Sequence, residues 1–455
     1  MATITLSPQT FIGSEYTPSS EGYILGLDKT GGGSASSGNR VSLLSANASN
    51  PEYIYWDVNN ENTTYVGSYR VDRGTYGSSS LEYNDKWLMT VNTQNGNMLM
   101  NGAITANTRD IGEFEIPTTL STSNNVADLP IAANTQPFVD VFDQIPSRTV
   151  DSNEGSGVGI YGIYEHNDNI LFNYQVYYDA ALPFATQTLA VKGSSTLSTP
   201  ASNTSGAYEW SPGVSRAGGW ISPIPAEWQT DLGGDHITGF TSGTTIAILG
   251  RLSVGPSAFA FNIADIINTP PASGSSISTT ELMNFPYPDV LGLGSTSNVD
   301  DWLLEPGRIW NNGTDSTYGF IIPGTSTYMC VGHQAGFTSG LGYKLRDGTS
   351  QTDFGDYDAV DVNDYRNAYW LFDVNDFVAV RAGTIAPESI VPYEYGTLNV
   401  KFEGDPITGL NQISSATFDP ATNRFYISVA EVDNLQSPFS VQPVINVYDL
   451  SGVTN

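Results

Sequence analysis

Short strand–turn–strand units recur along this chain, and helical periodicity is nearly missing. Apolar residues alternate with polar ones or form short runs, and turn-forming Gly, Pro, Asn, Asp and Ser separate the runs. One clear unit joins 162–165 to 170–172 through Asn167 and Asp168, and another joins 416–418 to 425–427. This pattern predicts an all-β protein made of many short antiparallel hairpins.

Most of these hairpins are followed by a later strand that ends in polar residues. About six such strands can be placed, at 65–71, 112–116, 188–191, 258–262, 370–373 and 445–449. Repeated small antiparallel sheets without helices are typical of a β-propeller, in which neighbouring sheets stack around a channel. We therefore predict a six-bladed propeller with long irregular loops, and tandem β-sandwiches are the alternative.

No linker divides the chain, so residues 1–455 are predicted to form a single propeller domain. The chain ends on a predicted strand at 445–449. A propeller has to close its ring, and a strand from the opposite end of the chain can complete the last sheet. We expect the N-terminal segment, residues 1–50, to close the last blade, with 3–6 as the candidate strand.

Charge and cysteine usage exclude several classes of function. The chain has 47 acidic residues against 17 Lys and Arg, a formal net charge of −30, which disfavours nucleic acid and anionic membranes as partners. No apolar run is long enough for membrane insertion. The single cysteine, Cys330, lies in an apolar run and is predicted to be a buried free thiol.

Five segments together carry a resemblance to a known group of proteins: 219–228, 232–239, 253–261, 369–376 and 418–426. They resemble uncharacterised propeller-like proteins predicted in environmental bacteria, in patches between about residues 145 and 450. The resemblance implies a propeller fold and no particular chemistry. The start of the chain, 1–6, is similar in style to phage virion proteins and carries no secretory signal, which implies release in a particle.

A dense group of oxygen-bearing side chains lies in one loop of the sequence. It contains Asp356, Asp358, Asp361 and Asp364. Calcium binds six to eight oxygens, which such a loop can supply, although the spacing is not that of an EF-hand. The alternatives are a calcium site and a solvated acidic loop, and no other cofactor is expected.

A second group combines carboxylates with aromatic residues. Glu227 and Asp235 lie close in sequence to Trp220, Trp228 and His236. Paired carboxylates beside aromatic platforms suit glycoside hydrolysis, and exposed aromatics with a histidine suit carbohydrate binding. The structural alternative packs the two indoles between blades, leaves the acids in water, and makes His236 an ordinary buried histidine or a residue of the channel.

These observations favour a non-enzymatic role. The sequence predicts a structural or surface-binding protein, an external virion component whose partners are other protein chains of an assembly and a cell-surface glycan. The expected location is therefore an extracellular particle, with a cytoplasmic or secreted protein as the alternative. The alternative function is a carbohydrate-active enzyme that uses Glu227 and Asp235, or a carbohydrate-binding propeller.

Overall fold

The fold is described from a computed structural model of the protein. The described residues are 23–28, 40–45, 52–56, 91–94, 97–102, 110–117, 119–123, 125–132, 134–141, 158–176, 187–193, 196–197, 206–211, 219–239, 241–242, 253–286, 289–295, 305–343, 357–361, 364–400, 412–437 and 440–450.

In the described residues, three strands come before the first blade. They are β1 (Tyr23–Asp28), β2 (Arg40–Ser45) and β3 (Glu52–Trp56). Strands β1 and β2 form an antiparallel hairpin, whereas β3 joins a sheet from the other end of the chain.

Blades 1 and 2 are antiparallel sheets that follow the chain. Blade 1 has the order β4-β5-β6-β8 and blade 2 the order β9-β10-β11-β12. The strands of this part of the chain are β4 (Val91–Gln94), β5 (Asn97–Gly102), β6 (Asp110–Glu115), β7 (Ile131–Ala132), β8 (Asn134–Asp140), β9 (Val158–His166), β10 (Asn169–Val176), β11 (Gln187–Lys192) and β12 (Gly206–Ser211).

Blade 3 has the order β13-β14-β17-β19, and its strand β18 crosses over to pair in parallel with β12 of blade 2. The strands are β13 (Trp220–Pro223), β14 (His236–Gly239), β15 (Thr241–Ser242), β16 (Gly255–Pro256), β17 (Ala258–Phe261), β18 (Ser276–Ser278), β19 (Thr280–Met283), β20 (Asp289–Val290) and β21 (Gly294–Ser295).

Blade 4 has the order β22-β23-β26-β27, and blade 5 the order β28-β29-β30-β3 with β7 added in parallel at its edge. The strands are β22 (Thr314–Ile321), β23 (Thr327–Ala335), β24 (Leu341–Tyr343), β25 (Tyr357–Ala359), β26 (Tyr365–Asp373), β27 (Glu394–Thr397), β28 (Ile413–Asp419), β29 (Arg424–Ser437) and β30 (Ser440–Asp449).

The first strands of the five blades meet around a common axis. Neighbouring contacts run from β4 to β9, β13, β22 and β28, and β28 returns to contact β4. A closed ring of radially packed sheets is a β-propeller and excludes tandem sandwiches, so the predicted fold class is confirmed. Within the described residues the ring closes with five blades rather than the predicted six, and the remaining predicted unit, at 65–71, lies outside them.

Blade 5 is completed by a strand from the N-terminal part of the chain. Three of its strands are C-terminal, and the fourth is β3, which pairs antiparallel with β30. The strand in this position is therefore Glu52–Trp56. The candidate strand at 3–6 lies outside the described residues, so that prediction stays a prediction.

The two hairpins singled out in the sequence are confirmed as β9–β10 and β28–β29. At the first turn Asn167 and Asp168 have φ angles of 48° and 61°, and at the second Asn423 has 53°. Two successive left-handed residues are what a tight turn matching the strand twist requires, and Asn and Asp tolerate that conformation.

Helices are few in the described residues, as the sequence predicts. They are α1 (Ala226–Leu232), α2 (Ala264–Ile267) and α3 (Val374–Arg381), with 3₁₀ turns at Val126–Asp128 and Pro387–Ser389. Helix α1 starts after Pro225, ends at Gly233 with φ 79°, and buries Trp228 and Leu232, which are one turn apart. None of the described helices is long and apolar enough to cross a membrane.

Candidate functional site

The channel enclosed by the inner strands is narrow. Its lining includes Tyr161, Thr317, Tyr318 and Ser415, and the empty space there is about 170 Å³. Ligand pockets usually measure about 300–1,000 Å³, so the cavity lined by these described residues is small for a ligand pocket. A Cβ added at Gly162 would overlap the backbone carbonyl of Gly219, which shows how closely two blades approach beside it.

The two tryptophans predicted to bind a ligand lie in the core. Trp220 and Trp228 are each 1% exposed. The indole N–H of Trp220 donates to the hydroxyl of Tyr328 at 3.0 Å, and that of Trp228 donates to the carbonyl of Thr325 at 2.8 Å. Both rings pack against protein because they fill the space between blades 3 and 4, and neither offers a face to a ligand.

The two predicted catalytic carboxylates have different partners. Glu227 is exposed on α1, and its Oε1 accepts a hydrogen bond from the backbone N–H of Gly324 at 3.1 Å. Asp235 precedes β14, and its Oδ1 contacts Nδ1 of His236 at 2.8 Å and accepts from the N–H of Ile263 at 2.8 Å. Asp235 therefore belongs to a polar network, and the hydrogen bond described for Glu227 lies outside that network.

That network is a cluster at the seam between blades 2 and 3, formed by Tyr164, His166, Asp235, His236 and Phe261. We call it the seam cluster. Tyr164 and His166 share one face of β9 because side chains two apart on a strand point the same way. Nε2 of His236 lies 3.0 Å from the Tyr164 hydroxyl, so a chain of hydrogen bonds joins carboxylate, imidazole and phenol.

Aromatic rings surround the imidazole of His236. Its centroid lies 5.0 Å from Tyr164, 5.5 Å from His166 and 5.7 Å from Phe261. His236 is 5% exposed. Tyr164 and His166 are partly exposed, and their nearly parallel rings stack at a centroid distance of 6.2 Å and an interplanar angle of 23°.

The cluster sets the protonation state of its members. Burial alone would raise the pKa of Asp235, but hydrogen bonds from His236 and Ile263 and the charge of His236 outweigh it and hold the pKa below 3.8. Burial, followed by the nearby charges, raises the pKa of Tyr164 well above its usual value. Burial and the charge of His236 lower the pKa of His166. Asp235 is therefore ionised and Tyr164 protonated at neutral pH.

The neighbouring ionisable groups point away from the seam cluster. Glu165 alternates with Tyr164 along β9, and its Oε1 accepts from the N–H of Asp168 at 2.8 Å, closing the β9–β10 turn. Burial raises the pKa of Glu165. Lys192 donates to the carbonyl of Thr196 at 2.7 Å, and burial lowers its pKa to about 8.

The acidic loop predicted to hold calcium is described only in part. Oδ2 of Asp364 accepts hydrogen bonds from the N–H groups of Thr338 and Ser339 and from the Ser339 hydroxyl, at 2.6–2.8 Å. Asp358 lies on β25, and Asp361 donates its N–H to the same hydroxyl. Asp356 lies outside the described residues, so the calcium site stays a prediction. In the described part of the chain, no three His, Cys, Asp or Glu side chains converge as a metal site would require.

Sequence reasoning identified Asp235 and His236 but not their partners Tyr164 and His166. The useful signal was present: an aromatic and a histidine two residues apart at the end of a strand, just before a tight Asn-Asp turn. What the sequence does not display is the contact between β9 and the start of β14, because these strands belong to different blades. Cys330 is confirmed as a buried free thiol.

No family model and no curated protein sequence matches the chain. Among solved structures it is similar to the α-L-arabinanase of Cellvibrio cellulosa, with 9% identity, a TM-score of 0.38, and coverage of 80% of this chain and 91% of that one. It is also similar to a putative glycoside hydrolase from Bacteroides ovatus, with 10% identity, a TM-score of 0.34, and coverage of 81% of this chain and 88% of that one. A third similar structure is an arabinanase of Bacillus subtilis, with 10% identity, a TM-score of 0.32, and coverage of 80% of this chain and 93% of that one.

The prediction of an external virion component is wrong on this comparison, since the similar structures carry the names of arabinanases and a putative glycoside hydrolase. At these TM-scores the likeness assigns no activity to this chain, so the site itself has to carry any proposal.

Proposed function

We propose that this protein is a carbohydrate-binding propeller and that the seam cluster binds a neutral glycan. The observation that carries the proposal is the partly exposed pair of aromatic rings of Tyr164 and His166 beside the ionised carboxylate of Asp235. A sugar ring has apolar C–H faces and a rim of hydroxyls. An aromatic surface packs against the faces, and a carboxylate and a phenol hydrogen-bond to the rim.

The overall charge supports a neutral ligand. A net charge of −30 repels phosphate, sulfate and uronate groups, and no described Lys or Arg belongs to the seam cluster. A neutral oligosaccharide does not have to approach against this field.

The cluster supports binding rather than hydrolysis. Glycoside hydrolysis commonly uses two carboxyl groups flanking the scissile bond, one protonated and one ionised. The seam cluster contains one carboxylate, Asp235, and it is ionised. Glu165, whose pKa is raised by burial, lies on the other face of β9 and accepts a hydrogen bond from the N–H of Asp168.

A glycan array followed by isothermal titration calorimetry tests the proposal. Arabinohexaose, the ligand of a Cellvibrio arabinanase complex, is the first probe, alongside a panel of neutral oligosaccharides. His166→Ala should remove one of the two partly exposed rings and weaken binding about tenfold, since stacking of this kind is worth on the order of 1 kcal/mol or more. Tyr164→Phe should weaken it about fivefold through loss of one hydrogen bond.

Tyr393→Phe is the matched control. It also removes a hydrogen-bonded tyrosine hydroxyl, which lies 2.6 Å from the Thr327 hydroxyl, but it does so in blade 4. Its affinity should equal that of the wild type. If the wild-type protein binds none of the neutral glycans, the proposal is overturned. If it releases reducing sugar from a bound probe, the proposed function changes from binding to hydrolysis.

A further inference from the structure

The hydrogen-bond directions within the seam cluster can be worked out from Asp235 outwards. An ionised carboxylate has no hydrogen to donate, so His236 and Ile263 must both act as donors to it. The N–H of Ile263 supplies one hydrogen at 2.8 Å, and Nδ1 of His236 must supply the other at 2.8 Å. Nδ1 of His236 therefore carries a proton.

The other imidazole nitrogen follows from the first. A neutral imidazole with its proton on Nδ1 has a lone pair on Nε2 and can only accept there. The partner of Nε2 is the Tyr164 hydroxyl at 3.0 Å, which must therefore donate its hydrogen inwards. The hydroxyl oxygen of Tyr164 then keeps its lone pairs for a donor other than His236.

Packing prevents the imidazole from adopting the opposite arrangement. The ring of His166 stands at 89° to that of His236 at a centroid distance of 5.5 Å, and Phe261 closes another side at 5.7 Å. A rotated His236 would lose both hydrogen bonds while 95% of it stays buried, which is unfavourable because unpaired buried polar groups are costly.

We propose that Asp235 and His236 are positioning residues that fix the Tyr164 hydroxyl as a hydrogen-bond acceptor towards a ligand. The ligand part of this inference depends on the proposed glycan-binding function; the hydrogen-bond relay itself does not. An acceptor at this place selects a ligand that presents a hydrogen, such as a sugar hydroxyl. It selects against sulfate or carboxylate groups, which present only lone pairs.

The direct test is the tautomer of His236 in the whole protein, read from ring nitrogen shifts after ¹⁵N-histidine labelling. The chain has three histidines, so His166→Gln and His333→Gln assign the signals by elimination. At about pH 8 we expect a protonated Nδ1 and an unprotonated Nε2 on His236. An Nε2-protonated neutral ring in the wild type would overturn the relay.

Binding provides the second arm, again with arabinohexaose as the probe. Asp235→Ala removes the oxygen that accepts from both Nδ1 of His236 and the Ile263 N–H, so the imidazole is no longer held in one tautomer and binding should weaken about fivefold. Tyr393→Phe should bind as tightly as the wild type. An Asp235→Ala protein that binds as tightly as the wild type would contradict the positioning role.

The two arms separate the possible failures. An Nδ1-protonated His236 in a protein that binds no glycan would refute the proposed function and leave the relay intact. A glycan bound by a protein with the opposite tautomer would refute the relay and leave the function intact.

Discussion

Hydrogen bonds stabilise the seam between blades 2 and 3, whereas aromatic packing stabilises the seam between blades 4 and 5. In the first, the amide of Asn173 donates to the carbonyls of Gly219 and Trp220 and to the hydroxyl of Thr238, at 2.9–3.3 Å. Its oxygen accepts from the indole of Trp210 at 3.1 Å. A single buried side chain therefore ties the two blades together through directional bonds.

The seam between blades 4 and 5 is aromatic. Phe320 stacks on Phe418 at a centroid distance of 5.0 Å and an angle of 16°, and it packs against Phe425 at 4.9 Å. The Tyr318 hydroxyl, which accepts the N–H of Phe418, is a polar group at this contact. Burial of apolar area stabilises the aromatic seam, and this contribution does not depend on the direction of any bond. The hydrogen bonds of the polar seam fix how the two blades are aligned and leave ionisable groups at its edge. The seam cluster lies at the polar one.

Truncation of the aromatic seam should have the largest effect on stability. Phe320 is 1% exposed, and Phe320→Ala should lower the free energy of unfolding by about 3–5 kcal/mol through lost burial and a cavity. Urea unfolding measures this, with Ile385→Ala at a 37% exposed site as the control, expected within about 0.5 kcal/mol of the wild type. A Phe320→Ala protein as stable as the control would show that the aromatic seam does not hold the blades.

Removal of the polar link should come next. Asn173→Leu keeps a side chain of similar size but removes the acceptor of the Trp210 indole N–H and the donor to the carbonyls of Gly219 and Trp220, for a loss of about 2–3 kcal/mol. The exposed Asn268→Leu is the control and should change little. A neutral Asn173→Leu would mean that the two seams differ only in composition and not in how they stabilise the ring.

Acid should affect the polar seam more than the aromatic one. The pKa of Asp235 is lower in the folded protein than its ordinary value of 3.8, so its contribution is present above about pH 3.8 and is lost as the pH falls through the folded value. Asp235→Asn should flatten the acid limb of the stability profile, by less than about 1 kcal/mol since the side chain is 31% exposed. Phe320→Ala should shift the whole profile without changing its shape.

The smallest expected effect concerns His166. Burial and the charge of His236 lower its pKa below 6.5 in the folded protein, so the unfolded chain takes up the proton first. Stability should therefore begin to fall as the pH drops below about 6.5, and His166→Gln should remove that part of the decline. Thermal melts from pH 8 to pH 5 would measure it, and a steeper decline in the variant would contradict the assigned direction.

Much of the local structure could be predicted from the sequence, because it depends on neighbours along the chain. The Asn167–Asp168 turn, the strands around it, the short helix after Pro225 and the buried Cys330 are all set by spacing and residue type. The repeat of hairpins with a later strand was enough to predict a propeller. The predicted count of six blades differs from the five that close the ring within the described residues, because divergent copies with loops of unequal length give no fixed period.

The candidate site depended on contacts between blades. Sequence proximity placed Trp220 and Trp228 beside Asp235, yet packing buries both indoles against blade 4. Stacking of adjacent blades instead brings Tyr164 to the imidazole of His236, seventy-two residues away in the chain. The sequence by itself determined which segments become strands and turns, since strand pattern and turn chemistry are local. Only the tertiary structure decided which side chains meet, since each blade buries its faces against its neighbours and that packing sets the contacts at every seam.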